Sequence, residues 1–223
     1  MPASDNFNRA DDTELDGDTL SSGGVTWVKH TAQSTITGLP TGATLGILSN
    51  FVQTRSSPLD RREHTYYTSQ DEGVNQFTEA TLTFSAANRG GGVWGRLATG
   101  AMTGYLAYYY RAAGEWRLVE VVAGTGTQLG SYTQSLTDNV AYTMRIEIND
   151  ARKEFFVDGV SRITATANNV ASGRSGIFAI DGAEGFVYGA KIDSYSQGTV
   201  AAGASGGLVV RRKSPLLRGM YVR

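Results

Sequence analysis

Carboxylates, two histidines and a knot of aromatic rings are the side chains of this 223-residue chain whose types suit chemistry, and each group can be held against the spacing that its chemistry needs. His30 and His64 are the whole histidine content, so a nucleophilic triad or a histidine-rich metal site has few members to draw on, and both read as surface strand or loop residues. Asp12, Glu14, Asp16 and Gly17 begin like a calcium loop, but the twelfth position is Gly23, where a bidentate glutamate is required. That excludes an EF-hand. Gly203-Ala204-Ser205-Gly206-Gly207 spells the Gly-x-Ser-x-Gly of a nucleophile elbow, yet that motif works only on a tight strand-to-helix turn beside a histidine, and this copy lies among small, flexible residues. Gly124 to Gly130 (GTGTQLG) is one residue too long for a dinucleotide loop and has strand patterns on both sides, so it reads as a hairpin turn. No Gly-Lys-Ser/Thr sequence is present, which leaves nucleotide chemistry without support. With no cysteine, disulfides, thiolate nucleophiles and cysteine-bound zinc are removed together.

The aromatic knot is Tyr105, Tyr108, Tyr109 and Tyr110 beside Arg111, with Trp94 and Trp116 on neighbouring segments. On a strand, Tyr108 and Tyr110 share one face and Tyr109 takes the other, so at least one side packs into a core. Two readings stay open: packing between sheets, or a platform of Trp94, Tyr108, Tyr110 and Trp116 on which flat rings stack against the apolar face of a sugar. A second binding candidate closes the chain. Residues 208–223 carry five basic residues and no acid, while the rest of the chain holds 15 basic and 21 acidic residues, a net of −6. Arg211, Arg212, Lys213 and Arg218 could neutralise phosphates, but Leu216, Leu217, Tyr221 and other apolar residues are interleaved with them. That mixture suits docking on a protein partner, for instance by adding a strand to a sheet edge; a nucleic-acid arm and a segment without function are the alternatives.

The elements that must position these residues are strands. Tyr142 to Asn149 (YTMRIEIN) alternates apolar and polar, the period of a strand with one dry and one wet face. KEFFVDG, GIFAI and FVYGAKIDSY follow it. Further strands are expected after an N-terminal one, at 25–30, 33–37, 44–53, 62–68, 76–85, 92–98, 104–111, 115–123 and 127–134, separated by turns such as Asp158-Gly159. Twenty-eight glycines, four prolines and no helical stripe beyond about two turns fit many short strands, and 40% hydrophobic residues suffice for a core. Strands in this number call for two packed sheets, an all-β antiparallel sandwich over residues 1–196. At Gln197 the texture turns to QGTVAAGASGG, read as a linker over 197–207 leading to the basic-apolar tail of 208–223. The opening residues show no apolar core of a secretory signal, and no run of about 18 apolar residues is available to cross a membrane.

An opening DNFNRADDTEL followed by Trp27, the hairpin YTMRIEIN and KEFFVDGV, and the closing GRSGIFAI and GFVYGAKIDSY together resemble the concanavalin A-like, laminin-G-like jelly-roll superfamily over about residues 5–196. The resemblance implies a two-sheet jelly roll and admits lectins, carbohydrate-binding modules, glucanases and accessory domains of bacteriophage particles. Glucanases of this kind carry a Glu-x-Asp-x-x-Glu strand. The nearest sequence here, Glu147-Ile148-Asn149-Asp150, lacks both the spacing and the middle acid, so Glu147 is expected to be a solvent-facing strand residue and the protein not an enzyme. Jelly rolls also hold structural calcium on loop carboxylates, for which Asp16 or Asp18 would serve; a solvated acidic loop is the plainer reading. The expectation that follows is a non-enzymatic bacteriophage virion protein, repeated and self-associating, docked to other virion proteins through residues 208–223, with a surface glycan as an additional ligand. A free carbohydrate-binding module is the alternative.

Overall fold

The computed structural model describes residues 2–12, 14–30, 45–54, 63–85, 90–180 and 190–201. The strand expected at 33–37, Ser205 and the docking residues Arg211, Arg212, Lys213, Leu216, Leu217, Arg218 and Tyr221 lie outside them. The described residues form fifteen strands and no helix: β1 (Ala3–Asp5), β2 (Trp27–Lys29), β3 (Leu45–Leu48), β4 (Phe51–Thr54), β5 (Glu63–Asp71), β6 (Gln76–Thr83), β7 (Gly90–Leu97), β8 (Gly104–Tyr110), β9 (Glu115–Val122), β10 (Thr125–Thr133), β11 (Ala141–Asn149), β12 (Arg152–Val157), β13 (Val160–Thr166), β14 (Arg174–Ile180) and β15 (Lys191–Thr199). They pair antiparallel in two sheets. One runs β13-β12-β11-β6-β15-β4-β3, with β1 also on β15, and the other runs β10-β9-β8-β7-β14-β5-β2.

Alternation sets each face. In β6 and β11, Gln76, Thr78, Ala80 and Leu82 together with Tyr142, Met144, Ile146 and Ile148 point into the space between the sheets, while Phe77, Glu79, Thr143, Arg145 and Glu147 point outward. At the centre of that space Trp116 is ringed by Tyr109, Phe155, Phe84 and Tyr142 at centroid distances of 4.8 to 6.1 Å, mostly edge to face, as ring quadrupoles prefer. The seven-stranded sheet departs from the one-dry-face pattern. Tyr105, Ala107 and Tyr109 of β8 enter the inter-sheet core, but Leu106 and Tyr108 on its other face are also buried, with Trp94, Phe178, Val119 and Val121.

Three boundaries differ from those expected. The run at 44–53 is a hairpin, β3 and β4, because Ser49 (φ 53°) and Asn50 (φ 66°) both adopt the left-handed conformation of a two-residue turn. β13 was not expected; Ile163 is its one buried apolar side chain, so it carries no alternation to read. The linker expected from Gln197 is strand as far as Thr199. The Gln197 side chain is fully buried, accepting from Thr68 Oγ1 (2.7 Å) and the Tyr195 hydroxyl (2.6 Å) and donating to Glu72 Oε1 (2.8 Å).

Candidate functional site

On the outward face of the eight-stranded sheet, register brings side chains from six strands into line, five of them polar and one a phenylalanine. Ser4 of β1 pairs with Ser196 of β15, Ser196 with Glu79 of β6, Glu79 with Arg145 of β11, Arg145 with Phe156 of β12 and Phe156 with Ser161 of β13. At an inter-strand spacing of about 4.8 Å this row spans roughly 24 Å across the strands. At its β1 end lies a groove of about 320 Å³. It is lined by Ser4, Ser21, Ser194, Ser196, Asn6 and Glu79, with Asp5, Ala80 and Tyr195 beneath; the Ser4 hydroxyl pairs with that of Ser22 (2.9 Å), and the Ser21 hydroxyl lies 2.9 Å from both Asp5 Oδ1 and Asn6 Oδ1. Hydroxyls and an amide give and accept hydrogen bonds in any direction, while a carboxylate only accepts.

The Arg145 guanidinium is fixed in the middle of the row. It lies 3.9 Å from the Phe77 ring centroid, 2.7 Å from Glu147 Oε1 and 3.5 Å from Glu79 Oε2. The Phe77 ring in turn lies against Gly198 of β15, where a Cβ would come within 2.9 Å of its edge. Next along, Arg152 is 2.7 Å from Glu154, so Arg145 and Arg152 each have a carboxylate partner. Glu147 is therefore a solvent-facing strand residue in an ion pair, as expected from its place in the alternation.

Asp5 braces the groove from below. It is 2% exposed, and its Oδ1 accepts from Phe7 N (3.0 Å), Ser21 Oγ (2.9 Å) and Arg9 Nη1 (2.8 Å), its Oδ2 from Trp27 Nε1 (2.9 Å). Phe7 takes a φ of 52° within this knot. The opening Asp5-Asn6-Phe7-Asn8-Arg9 is thus a structural brace.

The rings and carboxylates expected from sequence to hold a sugar or calcium lie away from this groove. Trp116 is in the centre of the inter-sheet core, and Trp94 and Tyr108 are buried on the opposite face of the seven-stranded sheet, so none of the three offers a ring to a sugar. Tyr110 is only half-buried, and the Arg117 guanidinium stacks on it at 4.5 Å. Asp16 Oδ1 accepts from Lys29 N (2.8 Å), and Asp18 Oδ2 faces the Arg9 guanidinium at 3.2 Å. A cation beside Arg9 would meet repulsion, and among the described residues no three Asp, Glu or His side chains converge on a point that could hold a metal ion. Burial raises the pKa of Asp18, a shift that Arg9 opposes. His30 and His64 are buried strand-end and strand residues, 5% and 1% exposed, in place of the surface positions expected.

Two further buried cations were not anticipated. Arg96 donates to Val74 O through Nε (2.9 Å) and Nη2, to Val170 O (2.7 Å) and to Asp150 O (3.1 Å). Lys153, fully buried, donates to the carbonyls of Asp150, Ala151 and Ala167 at 2.6 to 2.9 Å. Burial, reinforced by Arg96, pushes the Lys153 ammonium down to about 8. Beside them, burial and the Glu120 carboxylate push Tyr105 up to about 12. With every ammonium proton on a carbonyl, Lys153 is a fastener of backbone and holds no proton ready for exchange with a substrate.

Nothing in the sequence alone singles out Phe77, Glu79, Arg145 or Phe156. The available signal was two phenylalanines at outward positions, 77 in QFTEATLT and 156 in KEFFVD, where the alternation calls for polar side chains.

No protein-family model matches the sequence, and no curated protein matches it. Solved structures do. The β-glucanase of Bacillus licheniformis superposes with a TM-score of 0.63 over 89% of this chain and 98% of its own, at 12% identity. The carbohydrate-binding module CBM66 of Bacillus subtilis gives 0.58 over 78% of this chain and 95% of its own, at 18% identity. The exoplasmic/lumenal domain of VIP36, in a Ca2+- and Man3GlcNAc-bound form, gives 0.58 over 74% of this chain and 84% of its own, at 9% identity. The shared feature is the fold: a concanavalin A-like jelly-roll sandwich, as the motifs at the two ends of the domain implied.

Proposed function

We propose that the protein is a non-catalytic carbohydrate-binding domain that takes a glycan on the outward face of its eight-stranded sheet. The observation that carries this reading is the groove lined by four serines, Asn6 and Glu79. Such a set matches the hydroxyls of a sugar ring, each of which must both donate and accept on leaving water. Support comes also from the jelly-roll neighbours, among them a carbohydrate-binding module and a domain with a mannose-containing glycan bound. A glucanase shares the fold as well. A retaining glycosidase needs an acid and a nucleophile about 5 Å apart in a cleft; here Glu147 and Glu154 are directly opposed on β11 and β12 but lie on an open sheet face, each held by an arginine.

The test is affinity electrophoresis of the full chain through gels containing a soluble glucan, mannan, galactan or fructan, with Ser196→Leu as the groove-filling control. Retardation by one of these polymers, lost in Ser196→Leu, is the expected result; free migration through all four overturns the reading.

A place on a virus particle is a second reading, resting on the basic and apolar residues 208–223. A glycan-binding sandwich with a docking tail would serve as a repeated surface component that contacts host glycans. Sedimentation of the polypeptide with intact particles in a density gradient of source lysate supports it, and recovery only among free proteins removes it.

A further inference from the structure

Resting on the glycan-binding reading, we propose that the ligand is an extended, uncharged oligosaccharide lying across the strands, from the serine groove at β1 to Phe156 on β12. Three observations carry this. The first is length. The register row Ser4, Ser196, Glu79, Arg145, Phe156 crosses five strands without interruption, a span of roughly 19 Å at the inter-strand spacing. The groove occupies only the first three positions of that row. A single sugar ring fills the groove; the remaining positions extend beyond it and serve rings further along the same chain.

The second is the character of the far end. Phe156 points outward from β12, while its neighbours Phe155 and Val157 are buried. Phe156 stands opposite Arg145. A partly exposed ring at the end of a polar row is the surface against which the apolar face of a pyranose or furanose ring packs, and aromatic side chains offer such area at small cost in side-chain entropy.

The third is charge and rigidity. Arg145 lies between Phe77 and two glutamates, and Arg152 is held by Glu154. Neither arginine of the row is left to bind an anionic ligand, and the Glu79, Glu147 and Glu154 carboxylates repel one; Lys191, an exposed cation on this face, stands away from the row, opposite Thr83 at the far end of β6. Among the described residues Glu79 Oε1 has no protein hydrogen bond, so it remains an acceptor for a sugar hydroxyl. Because the charged groups are immobilised before binding, little ordering cost is added when a chain settles on them.

The experiment uses the full protein and the neutral polysaccharide that retards it. That polymer is partly hydrolysed, and its monosaccharide, disaccharide and longer oligosaccharides are titrated calorimetrically against the wild type, Phe156→Ala and Ser196→Leu. Affinity should climb by about tenfold or more from disaccharide to the longest oligomer, and Phe156→Ala should abolish that climb while leaving the monosaccharide unaffected. Ser196→Leu should weaken every member of the series. Equal affinity for monosaccharide and long oligomer, an unaltered series in Phe156→Ala, or tighter binding of polygalacturonate than of the neutral polymer would each overturn the extended neutral site while leaving a glycan-binding groove intact. Retardation by none of the neutral polymers would instead remove the function on which the site rests. Phe156 is a surface residue, so thermal unfolding of Phe156→Ala close to the wild type confirms that the variant is folded.

Discussion

Replacing Asp5 by alanine puts the brace beneath the groove to a quantitative test. The carboxylate is 2% exposed and receives Phe7 N, Ser21 Oγ, Arg9 Nη1 and Trp27 Nε1 at 2.8 to 3.0 Å. Alanine strands these donors unequally. The Trp27 ring is fully buried, so its Nε1 loses its acceptor with no route to water, and the Phe7 amide lies in the same buried knot. Each costs about 1–3 kcal/mol when left unpaired. The Arg9 side chain is 28% exposed and keeps Asp18 at 3.2 Å, and the Ser21 hydroxyl can turn to Asn6 Oδ1 at 2.9 Å, so these two add little. The expected loss is about 2–6 kcal/mol, a large share of the 5–15 kcal/mol that typically separates folded from unfolded states. Urea unfolding followed by tryptophan fluorescence and by circular dichroism supplies the number and checks that the two transitions coincide. Trp27→Phe removes the stranded donor, so the Asp5→Ala/Trp27→Phe double variant should fall short of the sum of the singles by about 1 kcal/mol or more. A loss below about 1 kcal/mol for Asp5→Ala, or singles that add within about 0.5 kcal/mol, would refute the brace.

Two predictions concern the buried cations and the connection beside them. The Lys153 ammonium titrates at about 8 in the fold against 10.5 when free, so between these values the unfolded chain binds the extra proton and stability rises with pH. Relative to Lys153→Met, the wild type should gain on the order of 1 kcal/mol between pH 8 and about pH 9.5 in urea midpoints; a parallel course of the two curves would sink the assignment. The window closes near pH 10, where Tyr105, Tyr66 and Tyr195, all raised by burial, begin to pull stability down. Gly173→Ala should destabilise by at least about 2 kcal/mol, since Gly173 has a φ of 153° and an added Cβ would lie 2.4 Å from the Arg96 carbonyl carbon; a thermal midpoint equal to the wild type would show that the loop yields freely.

The strands that could be read from the sequence were those with a contrast between their faces. YTMRIEIN maps onto β11 because Tyr142, Met144, Ile146 and Ile148 are all buried and the intervening side chains are not. β13 escaped because Val160, Ser161, Thr164 and Thr166 are exposed on both sides of a single buried Ile163. β7 and β14 were placed, but both of their faces are buried, and this is what misdirects any choice of binding residues by ring type: Trp94 and Tyr108 look like a platform until the second face proves to be dry. The candidate site was illegible for a different reason. Ser4, Glu79, Arg145, Phe156 and Ser196 are unremarkable wet-face residues one strand at a time, and only the register of β1, β15, β6, β11 and β12 puts them in one row. Gln197 shows the same limit, since a polar residue followed by glycine reads as linker until Thr68, Tyr195 and Glu72 are found around its amide.

Among the described residues every side-chain hydrogen bond of Arg96 and Lys153 goes to a carbonyl oxygen: those of Val74, Asp150, Ala151, Ala167 and Val170 in the connections β5–β6, β11–β12 and β13–β14. Every amino acid supplies a carbonyl, so at these five positions the grip itself makes no demand on the side chain; the demands on the connections come from elsewhere, from the backbone at Gly173 and from the buried Val170. Exchange of the exposed Val74 should therefore be absorbed without loosening the β5–β6 connection, while the same end of the sandwich stays intolerant at Gly173 and Val170.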